Sequence, residues 1–520
     1  MKPFRILAFF LAVFALLLGI SFIFPRDGIA LGEDLRLRFL NSAELFARDS
    51  ATSTYTDSLI RFATVTDDPE FGEVDSLLLM PEVEIDINQD SIIRARIDSI
   101  RKRVFPLVYE QDGQNMLATF FSAAEASAEK GELLRILHYG DSQIENDRMT
   151  SLLRYRFQRV FGGSGVGMVP AIPLYFGNPT FRESFNGDWI RYTGFGRRDS
   201  TLTHRSYGSL LCFTSVPLPS EEGLPSLEFK YLPGRKASRF NHLEIYLHSY
   251  VDSGMVIVNV NDTIVDTLEV RDGFQVLKHK TRVHPKKLQM HFKLNEGGRI
   301  YGLSFDPAAG VQVDNIAMRG SSGIELSRSD REVLDLMFSE LNPGLILMQF
   351  GGNVVPYITN FAYYKYTFKK ELNYLKKLLP GVPVIVIGPS DMATKENGKF
   401  LTYPTLEPVR DVLKEAALES GYAFWDMYEA MGGYNSVQDF VMADPPLASS
   451  DYIHFTPKGA NMMAGMLFDA VMLEYGRYKA EEEAMIASEG AEALQDQEAG
   501  MTSQEQKVET SGPEEEKSSQ

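Results

Sequence analysis

Three side chains in this 520-residue chain, a serine, a histidine and an aspartate, have the types and settings that nucleophilic catalysis needs. Ser142 follows the apolar run Ile136–Tyr139 at a Gly-Asp-Ser corner, and polar residues suited to the first turns of a helix come next. A serine between a strand and a helix N-terminus exposes its hydroxyl among backbone N–H groups, with the positive end of a helix dipole beneath it. This setting predicts that Ser142 is a nucleophile.

A serine nucleophile needs a base, and only two histidines lie outside the β-rich middle of the chain. His138 lies inside the apolar run before Ser142, where we expect a structural role. His454 lies on a loop just before the last predicted helix, and Asp451, three residues earlier, can turn back to accept the imidazole Nδ1–H. The sequence therefore predicts Ser142 as nucleophile, His454 as base and Asp451 as the acid that orients it.

The elements around these positions alternate between strand and helix patterns from about residue 116 onward. Buried runs end in glycine-bearing loops at 140–142, 351–353 and 388–390, and the helical segment 367–379 lies between the last two of these runs. This order indicates a parallel sheet. Active sites in such sheets form where loops leave the carboxyl ends of the strands, and all three loops occupy that position.

A long stretch between about residues 172 and 312 interrupts the α/β pattern. Its segments alternate apolar and polar residues with period two, are rich in aromatic residues and are separated by Gly, Asn and Asp turn signals. The pattern predicts an inserted all-β domain, a β-sandwich or jelly roll, within an α/β domain.

The N-terminus has the composition of a membrane anchor. After Lys2 and Arg5, the 19-residue segment Ile6–Phe24 carries no charge and is just long enough to span a hydrocarbon core of roughly 30 Å. The two basic residues place the N-terminus in the cytoplasm and the remainder outside. An uncleaved transmembrane helix is favoured over a cleaved signal peptide, because no small-x-small site follows. Residues 27–115 are predicted to form a stalk or wrapping segment, with a small independent domain as the alternative.

Composition excludes several classes of function. The formal charge is −18, and residues 481–520 contribute 12 Asp/Glu against 2 Lys/Arg, so no basic face indicates a nucleic-acid partner. Cys212 is the only cysteine, which excludes an internal disulfide and a multi-cysteine metal site. No His/Asp/Glu grouping has the spacing of metal ligands, so we expect neither a metal nor another cofactor. The acidic tail has almost no aromatic or β-branched residues and is predicted to be disordered.

Three short motifs together resemble a known superfamily. The residues GDS at 140–142, GGN at 351–353 and DYIH at 451–454 resemble blocks I, III and V of the SGNH (GDSL) hydrolases, in the right order and in the right structural contexts. The resemblance implies a flavodoxin-like, three-layer α/β domain. The sequence departs from the family pattern at Gln143, where the older family name has leucine. Pro-Ser-Asp at 389–391 is not a required motif; Ser390 and Asp391 could contact substrate or close a turn, and the turn is favoured.

The same resemblance implies an oxyanion hole. The strand and loop "VDNIAMRGSSG" after the β-rich stretch look like the block that supplies a glycine N–H, and Gly320 matches best, with Gly323 as the runner-up. The N–H groups of Ser142 and Gly320 and the side-chain amide of Asn353 would then bind the developing oxyanion.

The layout of roughly residues 116–475 is similar to bacterial peptidoglycan O-acetylesterases whose SGNH domain holds an inserted, carbohydrate-binding-like sandwich. This resemblance implies removal of O-acetyl groups from an acetylated envelope glycan through an acetyl-serine, at the outer face of a bacterial inner membrane. An acyltransferase working beside a multi-pass acyl exporter, and an inactive glycan-binding protein, are the alternatives. The predicted divisions of the chain are 1–26 (anchor or signal), 27–115 (stalk), 116–171 (SGNH, first part), 172–312 (β-sandwich), 313–478 (SGNH, second part) and 479–520 (tail).

Overall fold

The computed structural model describes residues 29–30, 36–37, 87–110, 115–175, 180–221, 223–232, 239–250, 252–281, 285–295 and 297–509. The chain forms two compact units, Met1–Asp67 and Asp68–Gln520. The predicted transmembrane segment lies outside the described residues, and none of the helices within them is long and apolar enough to cross a membrane. In the first unit, Ile29–Ala30 pairs antiparallel with Arg36–Leu37.

The described strands are numbered along the chain. They are β1 (Ile29–Ala30), β2 (Arg36–Leu37), β3 (Leu133–Gly140), β4 (Gly167–Val169), β5 (Phe181–Asn186), β6 (Ile190–Thr193), β7 (Cys212–Val216), β8 (Ser226–Tyr231), β9 (His242–Ser249), β10 (Gly254–Val260), β11 (Thr263–Val270), β12 (Gly273–Lys280), β13 (Lys287–Lys293), β14 (Gly298–Asp306), β15 (Gly310–Ala317), β16 (Pro343–Gln349), β17 (Val384–Ile387), β18 (Ala393–Glu396), β19 (Lys399–Thr402) and β20 (Ala423–Trp425).

The described helices are numbered in the same way. They are α1 (Ile87–Arg101), α2 (Ala118–Lys130), α3 (Thr150–Phe161), α4 (Arg331–Leu341), α5 (Phe361–Leu378), α6 (Leu406–Glu419), α7 (Met427–Met431), α8 (Ser436–Met442) and α9 (Pro457–Glu509).

A five-stranded parallel sheet forms the centre of the α/β part, in the order β15–β3–β16–β17–β20. Counted along the chain, this is the order 2-1-3-4-5 of flavodoxin-like folds, whose switch point lies between the first and third strands. The strands are buried on both faces, which explains why β3 and β17 read as nearly continuous apolar runs. The predicted α/β fold with a parallel sheet is confirmed.

Helices cover this sheet in two groups. Leu334 of α4, Leu372 of α5 and Leu413 of α6 are buried in one apolar cluster with the sheet residues Ile346 and Val386. The second group consists of α2, α3 and α9, which pack through edge-to-face contacts between their phenylalanines; these are Phe120, Phe157 and Phe468. The amphipathic patterns of these helices therefore turn their apolar faces inward.

The segment between β4 and β14 folds into two antiparallel sheets with a separate apolar cluster. One sheet has the order β11–β10–β13–β8–β5, and the other has the order β12–β9–β14–β7–β6 with β4 added to β14. Aromatic rings such as Phe181, Phe229 and Phe305 fill the cluster in edge-to-face contacts. The alternating sequence therefore forms β-sheets as expected. Its carbohydrate-binding role stays a prediction.

A buried arginine joins the two parts. Arg135 of β3 donates to both carboxylate oxygens of Asp314 on β15, at 3.0 and 3.1 Å, and it pairs with Asp306 of β14. It also donates to Ser304 Oγ at 3.0 Å, and all four side chains are almost fully buried. Because the same arginine binds the parallel sheet and an antiparallel strand, it fixes the position of β14 against β3, the strand that leads to Ser142.

Residues 93–110 pack along the edge of the α/β part. Ile93, Ile97 and Ile100 of α1 are buried, and Val108 forms a backbone bridge with Phe424 of β20. This stretch belongs to the predicted stalk, and residues 93–110 pack against the α/β part.

The C-terminal region differs from its prediction. Residues 479–509, expected to be disordered, continue α9 as one helix. The stretch is rich in Ala, Glu, Gln and Met, which have high intrinsic helix propensity. Lys479 near its start also pairs with Glu125 of α2 at 3.3 Å. The low apolar content that indicated disorder does not oppose a helix that extends from a packed one.

We expect Arg135→Met to lower the free energy of unfolding by about 3 to 5 kcal/mol, because it leaves two buried carboxylates unpaired. Urea denaturation followed by tryptophan fluorescence measures this, since Trp425 reports on the parallel sheet and Trp189 on the antiparallel part. The control is Arg331→Met, which breaks an exposed pair with Asp335 and should cost less than about 1 kcal/mol. Equal losses in the two variants would contradict the role assigned to Arg135.

Candidate active site

Ser142 lies in the loop that follows β3, at the switch point of the sheet. The residue is half-buried, and Asp141 N donates to Gln349 O at the end of β16. The helix predicted to begin beside Ser142 begins only at Thr150, after a 3₁₀ turn. Asn146 and Asp147 adopt positive φ angles of 56° and 62°, which an α-helix does not accommodate. The surroundings of Ser142 are therefore loop backbone instead of a helix N-terminus.

The structure brings Ser142, His454 and Asp451 into one hydrogen-bonded chain. Ser142 Oγ lies 2.8 Å from His454 Nε2, and His454 Nδ1 lies 2.7 Å from Asp451 Oδ2. A carboxylate only accepts hydrogen bonds, so Nδ1 carries the proton toward Asp451 and Nε2 is left to accept from the serine hydroxyl. This is the arrangement in which a histidine can take a proton from serine.

Asp451 is held as an anion. Burial raises its pKa, but hydrogen bonds from the His454 ring and from the N–H groups of His454 and Ile453 outweigh this effect and lower the pKa to about 2. Both N–H groups donate to Asp451 Oδ1, at 3.0 and 2.9 Å. The carboxylate is therefore charged over the neutral range and can stabilise a protonated His454.

The two glycine candidates for the oxyanion hole differ in their surroundings. Gly323 N already donates to Ser321 Oγ at 3.0 Å, whereas, among the described residues, no protein acceptor receives the N–H of Gly320 or of Ser142. Gly320 is also exposed and has open space around it. The structure thus leaves the N–H of Gly320, and not that of Gly323, available to a ligand.

Asn353 lies in the loop after β16. Its amide points toward the loop of residues 141–149, which carries the predicted nucleophile Ser142 and is called the nucleophile loop below. Its Nδ2 donates to Ser321 O at 3.1 Å and, more weakly, to Asp141 Oδ2 at 3.3 Å. Burial raises the pKa of Asp141 to about 6, while the Gln143 N–H opposes this by donating to the carboxylate. An oxyanion of a ligand would therefore have to share the Asn353 amide hydrogen with the Asp141 carboxylate.

Two residues that sequence reasoning did not identify connect the nucleophile loop to the His454 loop. Gln143 Nε2 donates to Ile453 O at 2.6 Å, and Gln143 Oε1 accepts from Phe455 N at 3.3 Å. Arg148 donates to Phe455 O at 3.2 Å and also to Ser142 O. In the sequence, only the departure from leucine at position 143 pointed to this connection, because the partners of Gln143 and Arg148 in the His454 loop lie more than 300 residues away.

The remaining sequence candidates take structural positions. Ser390 accepts from Gln143 Nε2 at 3.0 Å, and buried Asp391 accepts from Val437 N at 2.8 Å at the start of α8. His138 is fully buried between Gln349 and Thr150, at 3.1 and 3.0 Å, and burial lowers its pKa to about 4. These contacts agree with the structural roles expected for them.

The described residues contain no group of three or more His, Cys, Asp or Glu side chains placed to hold a metal ion.

Comparison with known proteins gives a structural match only. No family model and no curated protein matches the sequence. A solved structure described as a peptidoglycan O-acetylesterase in action matches with a TM-score of 0.58 and 20% identity, over 71% of this chain and 99% of that chain. A putative GDSL-like lipase from Parabacteroides merdae matches with a TM-score of 0.26 and 19% identity, over 31% of this chain and 74% of that one. A family two carbohydrate esterase from Clostridium thermocellum, at a TM-score of 0.23 and 11% identity, covers 56% of this chain and 99% of its own.

Only the first of these matches is close enough in structure to support an argument. The chain therefore has the fold of the SGNH hydrolases that its sequence motifs resemble. Within this class it resembles the peptidoglycan O-acetylesterase in fold.

The two glycines should respond differently to substitution. Gly320→Ala should cost about 1 to 2 kcal/mol, because its φ of +79° disfavours a side chain while the space is open. Gly323→Ala should cost about 1 to 3 kcal/mol more, since its φ is +80° and a Cβ would lie 2.5 Å from a ring carbon of buried Phe350. Urea denaturation of both variants measures the difference. Losses of equal size would show that the Gly323 loop can move away from the ring.

Proposed function

We propose that this chain is an SGNH-type serine esterase that removes O-acetyl groups from a cell-envelope polysaccharide such as peptidoglycan. The observation that carries the proposal is the hydrogen-bonded chain from Ser142 through His454 to Asp451. Two backbone N–H groups, of Ser142 and Gly320, have no acceptor among the described residues. The similar fold of a solved peptidoglycan O-acetylesterase supports this choice of ester.

Acylation begins at the serine hydroxyl. Ser142 Oγ forms a bond to the carbonyl carbon of the acetyl ester, and its proton passes to His454 Nε2, 2.8 Å away. Asp451, ionised because its pKa is about 2, stabilises the imidazolium. The tetrahedral intermediate then breaks the bond to the sugar oxygen, which leaves with the proton from His454. The product is acetyl-Ser142 and a free sugar hydroxyl.

Deacylation repeats these steps with water. His454 Nε2 takes a proton from water, whose oxygen attacks the acetyl carbon. The bond from carbon to Ser142 Oγ breaks, and the serine oxygen takes the proton back from His454. Acetate leaves and the site returns to its starting state without a cofactor.

The oxyanion formed in both halves of the reaction needs hydrogen-bond donors. Within the part of the chain that the structure describes, the N–H groups of Ser142 and Gly320 donate to no protein acceptor, so they would be the first two donors. Asn353 would supply the third by sharing the amide hydrogen that faces Asp141 at 3.3 Å. Such donors matter because they meet charge that develops only during reaction, where each one contributes roughly 3 to 4 kcal/mol.

The N-terminal segment and the antiparallel sheets have proposed roles in the same reaction. The uncharged stretch Ile6–Phe24 would anchor the chain in a bacterial inner membrane with the catalytic part outside the cytoplasm. The two sheets would position the glycan near Ser142. If the acetyl group passed to a sugar hydroxyl instead of water, the chain would be a transferase, and a multi-pass acyl-transfer protein in the same membrane would be its partner.

The anchor predicts where the protein is found. The full chain should sediment with membranes and be digested by protease added to spheroplasts, whereas a chain starting at residue 27 should be released by neutral aqueous buffer. Protection of the intact chain from protease in spheroplasts, with digestion after lysis, would contradict the proposed orientation.

Acetate release from acetylated peptidoglycan tests the activity itself. We expect Ser142→Ala to reduce it by about four orders of magnitude or more, and Asn353→Ala by about 100- to 1,000-fold. The control is Ser339→Ala, which removes an exposed hydroxyl on α4 and should leave the rate unchanged. Acetylated xylan serves as a second substrate for comparing glycans.

The same assay separates the competing functions. A deacetylated sugar acceptor is added in parallel, and both free acetate and acetylated acceptor are measured. Acetyl groups that appear on the acceptor with little free acetate would identify a transferase. Binding of the glycan with no turnover that depends on Ser142 would refute the esterase and indicate a glycan-binding protein.

A further inference from the structure

One residue in the loop that carries Asp451 and His454 has an unfavourable backbone conformation. Tyr452, between Asp451 and His454, has a φ of +57°, in the left-handed region that residues with a Cβ avoid. Only glycine, and to a lesser degree Asn and Asp, adopt this region readily. Something in the structure must therefore hold Tyr452 there.

This conformation has a direct role in the geometry around Asp451. The chain reverses at Tyr452, and the N–H groups of Ile453 and His454 then point back to Asp451 Oδ1, at 2.9 and 3.0 Å. The same reversal brings the His454 ring to Asp451 Oδ2. If Tyr452 relaxed to negative φ, these three hydrogen bonds could not all form.

The tyrosine is held from outside the loop by the hairpin β18–β19. Its ring stacks on the ring of Phe400 in β19, with 3.8 Å between centroids and 10° between planes. Its carbonyl oxygen accepts from Ala393 N in β18 at 3.0 Å. One side chain and one backbone group of the hairpin therefore fix both the ring and the peptide of Tyr452.

The hairpin is itself firmly attached. It pairs only with itself in the sheets of the described residues, and an isolated two-stranded hairpin is barely stable in water. Thr402 at its end exchanges hydrogen bonds with Asn435 before α8, at 3.0 and 2.8 Å, and donates to buried Asp391 at 2.8 Å. Gln438 of α8 donates to Phe400 O. The contact on Tyr452 therefore comes from an anchored element.

We propose that Phe400 is a positioning residue for the reaction: by stacking on Tyr452 it keeps the chain in the left-handed turn that places Asp451 on His454. This inference rests on the proposed function, because it gives the turn a role in catalysis. Phe400 acts through Tyr452, on whose ring it stacks. The rings serve the turn and do not bind the substrate.

A matched pair of substitutions at one position tests this. Tyr452→Ala and Tyr452→Gly both remove the ring, but only glycine accepts a φ of +57° without strain. We expect Tyr452→Ala to lower kcat by about 5- to 30-fold. The left-handed conformation is unfavourable for alanine, so the correct turn is populated less often. Tyr452→Gly should stay close to wild type, and KM should not change in either variant.

Phe400 is tested by rescue. Phe400→Ala should lower kcat as Tyr452→Ala does, and adding Tyr452→Gly should restore it. The control is Lys399→Ala, which removes an exposed side chain of the same hairpin. Equal losses in Tyr452→Ala and Tyr452→Gly, with raised KM, would mean that the rings contact the substrate and would overturn the proposal. Full activity in all variants would overturn it too.

A second measurement does not depend on turnover. In the full chain with ¹⁵N-labelled histidine, the proton on His454 Nδ1 should give a low-field NMR signal because it is hydrogen-bonded to the Asp451 carboxylate. We expect the signal to weaken in Tyr452→Ala and to persist in Tyr452→Gly. If wild type released no acetate, the proposed function would fail, and this pair of spectra would still decide whether the stack holds the turn.

Discussion

One hydrogen bond, from Ser142 to His454 at 2.8 Å, is the interaction on which the proposed chemistry depends. It joins residues 312 positions apart. Such a bond contributes only about 1 kcal/mol by itself, too little to bring two mobile loops together. The fold therefore prepares both loops in advance. Gln143 and Arg148 bind the main chain beside His454 from the nucleophile side, and the left-handed turn at Tyr452 arranges the acid from the other side.

The antiparallel part is joined to this arrangement through a buried charge. Arg135 lies on the strand that ends at the nucleophile loop, and it binds Asp314 of the parallel sheet and Asp306 of an antiparallel strand. Buried charges are costly unless all of them are paired. The two parts of the fold consequently have one favourable register against each other, which holds the antiparallel sheets in a fixed position relative to Ser142.

The parts of this account that sequence could predict are those set by local patterns. Apolar runs ending at glycine loops predicted the parallel strands, and the three motifs at 140–142, 351–353 and 451–454 predicted which loops meet. Specific side-chain contacts decided the rest. The delayed start of α3 depends on Asp147, whose left-handed backbone is accompanied by a two-point ion pair with Arg154. The anchoring role of Gln143 depends on partners in a distant loop, which no local pattern specifies.

Direct detection of the acyl-enzyme tests the central claim. The full chain is mixed with acetylated peptidoglycan, quenched in acid within a turnover and digested, and the peptide containing Ser142 is examined by mass spectrometry. The account predicts an acetyl group on Ser142 in the wild type and in Asp451→Asn at a lower level, and none in His454→Ala. Steady acetate release with Ser142 unmodified at every time point, and undiminished in Ser142→Ala, would contradict it.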